Sequence, residues 1–165
     1  MNADLYAELM NFIQSVKTCF RKYATFKGRA MRSEFWWFQL LIVIATFGAM
    51  AADSVLLGYS LEEAVTPLAF IVEIGLVVPS ASVMARRLHD IGWSGWVQLP
   101  VFLTNAVYLD IWFPDGGLSL TSTMLSSVGA LFWFMLVIFL IMDSQPKTNK
   151  YGPNPKSPEM DDVFN

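Results

Sequence analysis

Between two long apolar runs the chain carries ARRLHDIGWSGW, residues 85–96. This stretch holds Arg86, Arg87, the chain's single histidine His89, Asp90, Ser94 and Trp96. A second basic stretch, FKGRAMRSEFWW at 26–37, adds Arg29, Arg32 and Glu34, and a third, NKYGPNP at 149–155, adds Asn149 and Tyr151. Guanidinium groups match phosphate bidentately, so convergence of the four arginines would create a partly dehydrated anion site. The same residues also admit a structural account. In it the arginines satisfy topology, Asp90 pairs with one of them, and His89 bonds a carbonyl. Topology alone needs positive charge, not a histidine, a serine and a tyrosine at set places, and both accounts stay open on sequence.

Enzymatic chemistry is poorly served. One histidine and one cysteine cannot assemble a His₃, Cys₄ or H-E-x-x-H metal centre in a single chain. There is no G-x-x-x-x-G-K-[ST], no G-x-G-x-x-G and no G-x-S-x-G. His89, Asp90 and Ser94 resemble a triad only in composition, because neighbours on one helix tip cannot align as nucleophile, base and orienter. The expectation leans against an enzyme and names no cofactor and no metal. A formal net charge of −3 provides no nucleic-acid footprint. Cys19 has no internal disulfide partner and is expected as a small buried hydrophobe.

The elements that must position these residues are apolar. The 165-residue chain is 55% hydrophobic and 15% charged, against about 45–50% and about 25% in soluble domains. Four windows approach the ~20 residues that cross ~30 Å of hydrocarbon: 35–52, 64–84, 91–109 and 124–142. The fold expected is an all-α membrane protein of four transmembrane helices preceded by an amphipathic interfacial helix. In this division 1–27 form the interfacial segment, 28–142 the four-helix domain and 143–165 a cytoplasmic tail.

Charge orients the threading. All 11 Lys and Arg fall before the first window, after the second or in the tail, and the other two loops hold only acids, Asp53 among them. Cytoplasmic loops retain positive charge, so both termini are expected inside. Trp36, Trp37, Trp93 and Trp96 then lie at the cytoplasmic interface, where amphipathic rings anchor. No cleaved signal peptide is expected, because the N-terminus has acids and no apolar core.

Leu5, Leu9, Phe12, Ile13, Val16, Phe20 and Tyr23 recur at steps of three and four, which places them on one helical face against the bilayer surface. Gly28 is expected to break the chain, Ser33 to cap the first span, and Glu34 to lie at the positive end of its dipole. If the second helix continues to Asp90, then Arg86, His89 and Asp90 share a face and Gly92 and Gly95 turn the chain back. Glu73 stands alone near the middle of the second window, where a charge costs about 2.5–3.5 kcal/mol. It is expected to face the bundle, and Pro67 and Pro79 to bend its helix.

Three phrases carry a family resemblance: FKGRAMRSEFWWF at 26–38, PSASVMARRLHDIGWSGW at 79–96 and NKYGPNP at 149–155. Together they resemble the G-R-x-x-R-x-E-[FY]-W entry, the R-R-L-H-D…S-G-W centre and the N-x-Y-G tail of the bacterial inner-membrane family catalogued as domain of unknown function 805. Family tails often place glycines before the Asn, where this chain has Gln145-Pro146-Lys147-Thr148. The resemblance implies a small multi-span inner-membrane protein and brings no reaction. The function expected is a non-enzymatic accessory or binding module whose basic cytoplasmic face meets anionic lipid headgroups or a protein partner. The alternative is a small transporter or channel subunit built on Glu73, which would call for a homo-oligomer or a membrane-protein partner to enclose a pathway.

Overall fold

A computed structural model describes residues 11–60, 66–103 and 120–156. Helix α1 (Phe12–Arg21) opens at Asn11, whose side chain accepts from the Gln14 N–H while Gln14 reaches back to Asn11, a reciprocal capping box. The predicted amphipathic helix is therefore present, although Leu5 and Leu9 lie outside the described residues. Its buried residues are Ser15, Thr18 and Cys19, while Ile13 and Phe20 are exposed. The stripe of Ser15, Thr18 and Cys19 packs on the protein, Ile13 projects outward, and Phe12 and Phe20 meet Trp37 and Phe38 edge to face.

Helix α2 (Arg32–Leu57) and helix α3 (Pro67–Asp90) follow. At about 1.5 Å per residue they reach about 39 and 36 Å, enough to cross a hydrocarbon layer. Both are long and apolar enough to span a membrane, and only 6% of the most apolar window of α2 is buried inside the protein. A soluble core helix would show the reverse. A 3₁₀ turn (Gly95–Gln98), a short α4 (Leu99–Leu103) and α5 (Leu120–Ile141) complete the described helices.

Boundaries differ from the sequence reading in informative ways. The helix of the first apolar window, α2, starts at Arg32 and runs to Leu57. Asp53 thus lies inside α2, buried, rather than in a loop. Ser33 is not the cap: Met31 occupies that position without a side-chain bond, and the Ser33 hydroxyl is buried with no partner among the described residues. The second helix does continue to Asp90. The third window does not begin as a helix, because 91–94 form a turn and regular helix starts only at Leu99. Its portion beyond 103 lies outside the described residues.

Pro79 sits inside α3 and supplies no N–H, so the carbonyl four residues earlier, on Gly75, loses its helical donor. The Tyr23 hydroxyl donates to that carbonyl at 2.6 Å. At the opposite end of the helix, the buried Asp53 carboxylate accepts from the N–H groups of Leu68 and Ala69 at 2.9 and 3.2 Å. It thereby caps the first turn of α3 with an anion at the positive dipole end.

The packed core gathers where the basic residues lie. It is formed by Phe35 and Phe38 of α2, Val83, Met84 and Leu88 of α3, Leu136 and Leu140 of α5, with Cys19, Ala30 and Ile91. Farther along the helices, Val43, Ile44, Phe47, Ile71, Ile74, Leu131 and Phe134 are exposed. Arg29, Glu34, Asp53, Arg86, Arg87 and Asp90 are buried. Charged groups inside and aliphatic groups outside suit a chain surrounded by lipid.

Candidate functional site

The three motif stretches converge on the C-terminal end of α3. That end closes with Gly92 N–H donating to the His89 carbonyl (3.0 Å) and Trp93 N–H to the Leu88 carbonyl (2.9 Å). Gly92 has φ of 86°, the left-handed backbone this closure requires. Ser94 then accepts from Trp96 N–H at 3.4 Å to start the 3₁₀ turn. Gly95 lies flat on α3: a Cβ there would fall 2.7 Å from Ala85 Cβ. Trp93 and Trp96 are both exposed.

Asp90 is the hub. One carboxylate oxygen accepts from Arg29 Nε at 2.8 Å, the other from Arg87 on the same helix, and all three side chains are essentially excluded from solvent. Arg29 has further acceptors, the carbonyls of Gln145 (2.6 Å), Lys147 (2.9 Å), Gly152 (3.3 Å) and Asp90 itself (3.4 Å). A single guanidinium therefore joins the segment before α2, the tip of α3 and the tail. Arg87 bonds the Leu140 carbonyl at 3.1 Å and the Met142 carbonyl. Arg32 donates to the Ile141 carbonyl at 3.2 Å and pairs with Asp143. Helix α5 has no basic residue in its own last turn, so its terminal carbonyls are capped from two other segments.

Arg86 points elsewhere. It pairs with Glu34 of α2, both side chains buried, and its Nε and Nη2 have no partner among the described residues. Asp90 thus pairs with Arg87 and Arg29, and not with Arg86, the neighbour expected on its face. Cys19 Sγ lies 3.8 Å from Glu34 Oε1. Burial first, and then the Glu34 charge, push the Cys19 thiol up to about 12, and Arg86 opposes them.

His89 Nδ1 lies 3.1 Å from the Gly28 carbonyl, a contact that calls for the proton on Nδ1 and, in the neutral ring, leaves Nε2 as an acceptor. The ring stacks on Tyr151 with centroids 3.8 Å apart and planes 6° from parallel. Asn149 holds that stack in place: its Nδ2 donates to the His89 carbonyl (2.9 Å) and to Gln145 Oε1 (3.0 Å), and its Oδ1 accepts from Tyr151 N–H. Arg29, Arg32, Arg87, His89, Asp90, Asn149 and Tyr151 are thus gathered where α3, α5 and the tail meet, while the Glu34–Arg86 pair stands apart. Ser94 only starts the 3₁₀ turn and Trp96 is exposed.

Glu73 belongs to neither group. It is half-buried along α3, and no described residue pairs with it. Among the described residues no cluster of three or more metal-ligating side chains occurs. The sequence reading missed Gln145, which donates from Nε2 to the Ile91 carbonyl and from its backbone N–H to the Asp90 carbonyl. Its position four residues before Asn149 was the available signal. Asp53 and Tyr23 were missed because their partners are backbone groups of another helix.

The chain also has recognisable relatives. The chain is 29% identical over 136 residues to the inner membrane protein YhaH of Escherichia coli K12, covering 82% of this chain and 91% of that protein. The YhaH of Escherichia coli O157:H7 matches to the same extent. No solved structure matches. The family model described as protein of unknown function (DUF805) matches residues 23–153, from the Tyr23 hydroxyl that serves α3 to the Asn149–Tyr151 clasp, and the chain belongs to that family.

Proposed function

We propose that the protein is a four-span inner-membrane accessory module with both termini cytoplasmic. Its buried arginines act as an architectural lock, and its exposed basic residues meet anionic lipid headgroups. The spans are α2, α3, the third window beginning at α4, and α5. One observation carries the reading: every arginine of the three motifs already has acceptors within the chain. Lys17, Arg21, Lys27, Lys147 and Lys150, in contrast, have exposed side chains near the same end. A surface lysine or arginine near an anionic bilayer contributes about 1 kcal/mol.

The test uses nanodiscs of mixed phosphatidylglycerol and phosphatidylcholine, with the retained lipid counted by mass spectrometry. Converting Lys17, Arg21, Lys27, Lys147 and Lys150 to Gln is expected to abolish enrichment of phosphatidylglycerol while thermal stability is kept. Equal enrichment in the variant overturns the headgroup role. A reporter fused after residue 165 that is active only in the periplasm is expected to stay silent, and activity there overturns the topology.

A further inference from the structure

Beside the arginine network lies a cavity of about 600 Å³, within the size range of small-molecule sites. Its walls come from the α3 line Ala81, Ala85 and His89, from Ser94, Gln98, Leu99 and Phe102, and from Phe26 and Tyr151. Two features say what fits it. The α3 residues are spaced by four, so they stand in one row about 12 Å long. Methyl groups occupy the deep part of that row, and the imidazole occupies its end at the basic face. The second feature is Gln98, 8% exposed, which lines the cavity and carries an Oε1 without a partner among the described residues. His89 Nε2, left as an acceptor by the Nδ1 bond to Gly28, adds a second site for a donated hydrogen.

From this we infer that the cavity binds a neutral lipid amphiphile, with an acyl tail along Ala85 and Ala81 and head-group hydroxyls donating to His89 Nε2 and Gln98 Oε1. The polarity of the cavity runs in the same direction as that of a lipid in the leaflet. A buried carbonyl oxygen without a donor is unfavourable, and a ligand hydroxyl supplies the missing donor. The inference uses the threading proposed above and is independent of the exposed lysines.

The probe is a monoacylglycerol with a diazirine in its chain, and its di-O-methyl ether, which has no donors, is the control. Both are photolysed with the protein in phosphatidylcholine nanodiscs and the adducts mapped by peptide mass spectrometry. The monoacylglycerol is expected to label the peptides holding Ala85, Leu99 and Phe102 at least fivefold more than the ether does. Gln98→Leu, which keeps the volume, should remove that preference. Ala81→Leu and Ala81→Trp, which fill the deep part, should reduce labelling stepwise at an unchanged melting temperature. Because the probe is uncharged, the variant with Lys17, Arg21, Lys27, Lys147 and Lys150 changed to Gln should label like the wild type. Labelling no denser at the cavity than at Val43 and Phe47 overturns the inference. So does labelling that a folded Ala81→Trp protein retains, or labelling that O-methylation and Gln98→Leu leave unchanged.

Discussion

The Glu34–Arg86 pair offers the sharpest measurement, because the two groups depend on each other and on little else. Their side chains are 4% and 1% exposed, and Arg86 has no other acceptor for Nε and Nη2 among the described residues. Removing one member strands a buried charge, at about 3–5 kcal/mol. Glu34→Leu and Arg86→Met should each lose that much. Glu34 also occupies the first turn of α2, so its removal adds about 0.3–1 kcal/mol of lost dipole interaction. The double variant Glu34→Leu, Arg86→Met strands nothing. Replacing a whole buried pair by apolar side chains is often neutral or favourable, so it should fall within about 1–2 kcal/mol of wild type. The coupling energy is then at least about 3 kcal/mol, several times the roughly 0.5 kcal/mol to which independent sites add. Unfolding in mixed micelles with increasing SDS, followed by helical circular dichroism, supplies the four free energies. If both single variants stay within about 1 kcal/mol of wild type, or the double variant is as poor as their sum, the pair does not hold α2 against α3.

Three other expectations follow from neighbouring contacts. Tyr23→Phe withdraws the donor from the Gly75 carbonyl freed by Pro79, and the same SDS titration should show a loss of about 1–2 kcal/mol that a further Pro79→Ala change largely restores. Cys19, whose thiol is raised from 9.0 to about 12, should resist maleimide at pH 8 until the protein is unfolded. Because the folded state holds that proton, stability should fall as pH rises from about 9 toward 12, and alkaline melts check the sign. Arg29→Lys keeps the charge but cannot serve Asp90 and three tail carbonyls at once, so protease should cut the tail near Lys147 far faster than in wild type, whereas Asp143→Asn, at a pair 78% exposed on the acid, should change little.

The helical class and the three motif stretches were legible in the sequence because they rest on composition and on residue types that are costly to bury. Four arginines, two acids and a histidine in a 55% hydrophobic chain must find partners: Arg29 and Arg87 take Asp90, Arg86 takes Glu34, and Arg32 and His89 find Asp143 and the Gly28 carbonyl. Which pairs form was not legible. Spacing placed Arg86 on the face of Asp90, yet Arg87 takes that acid and Arg86 reaches α2, a choice settled by where α2 and α5 pack. The start of the third window misled for a related reason. Its residues are apolar enough for a span, but Gly92 and Gly95 set a turn and a close approach to Ala85 that hydropathy cannot register. Asp53 looked like an ordinary outside-loop acid because its role, capping a helix 15 residues away, depends on how two helices meet.

The arginine lock also bears on how such a chain reaches its fold. Positive charge orients a helical membrane protein while the segments are still being inserted, when the basic groups are exposed to water. In the finished structure Arg29, Arg86 and Arg87 are buried. Each therefore acts first as a free charge and later as a bonded one, and the second state needs partners from segments that are far apart in the sequence. Arg29 waits for carbonyls of 145–152, and Arg87 for the end of α5. The contacts of Arg29 with the tail and of Arg87 with α5 therefore cannot form before those segments exist, whereas the pairs with Asp90 and Glu34 can. A lysine could orient the chain equally well, but it could not bond Asp90 and the tail together. Guanidinium at these positions is thus explained by the folded contacts, and positive charge at this end accords with the threading proposed above.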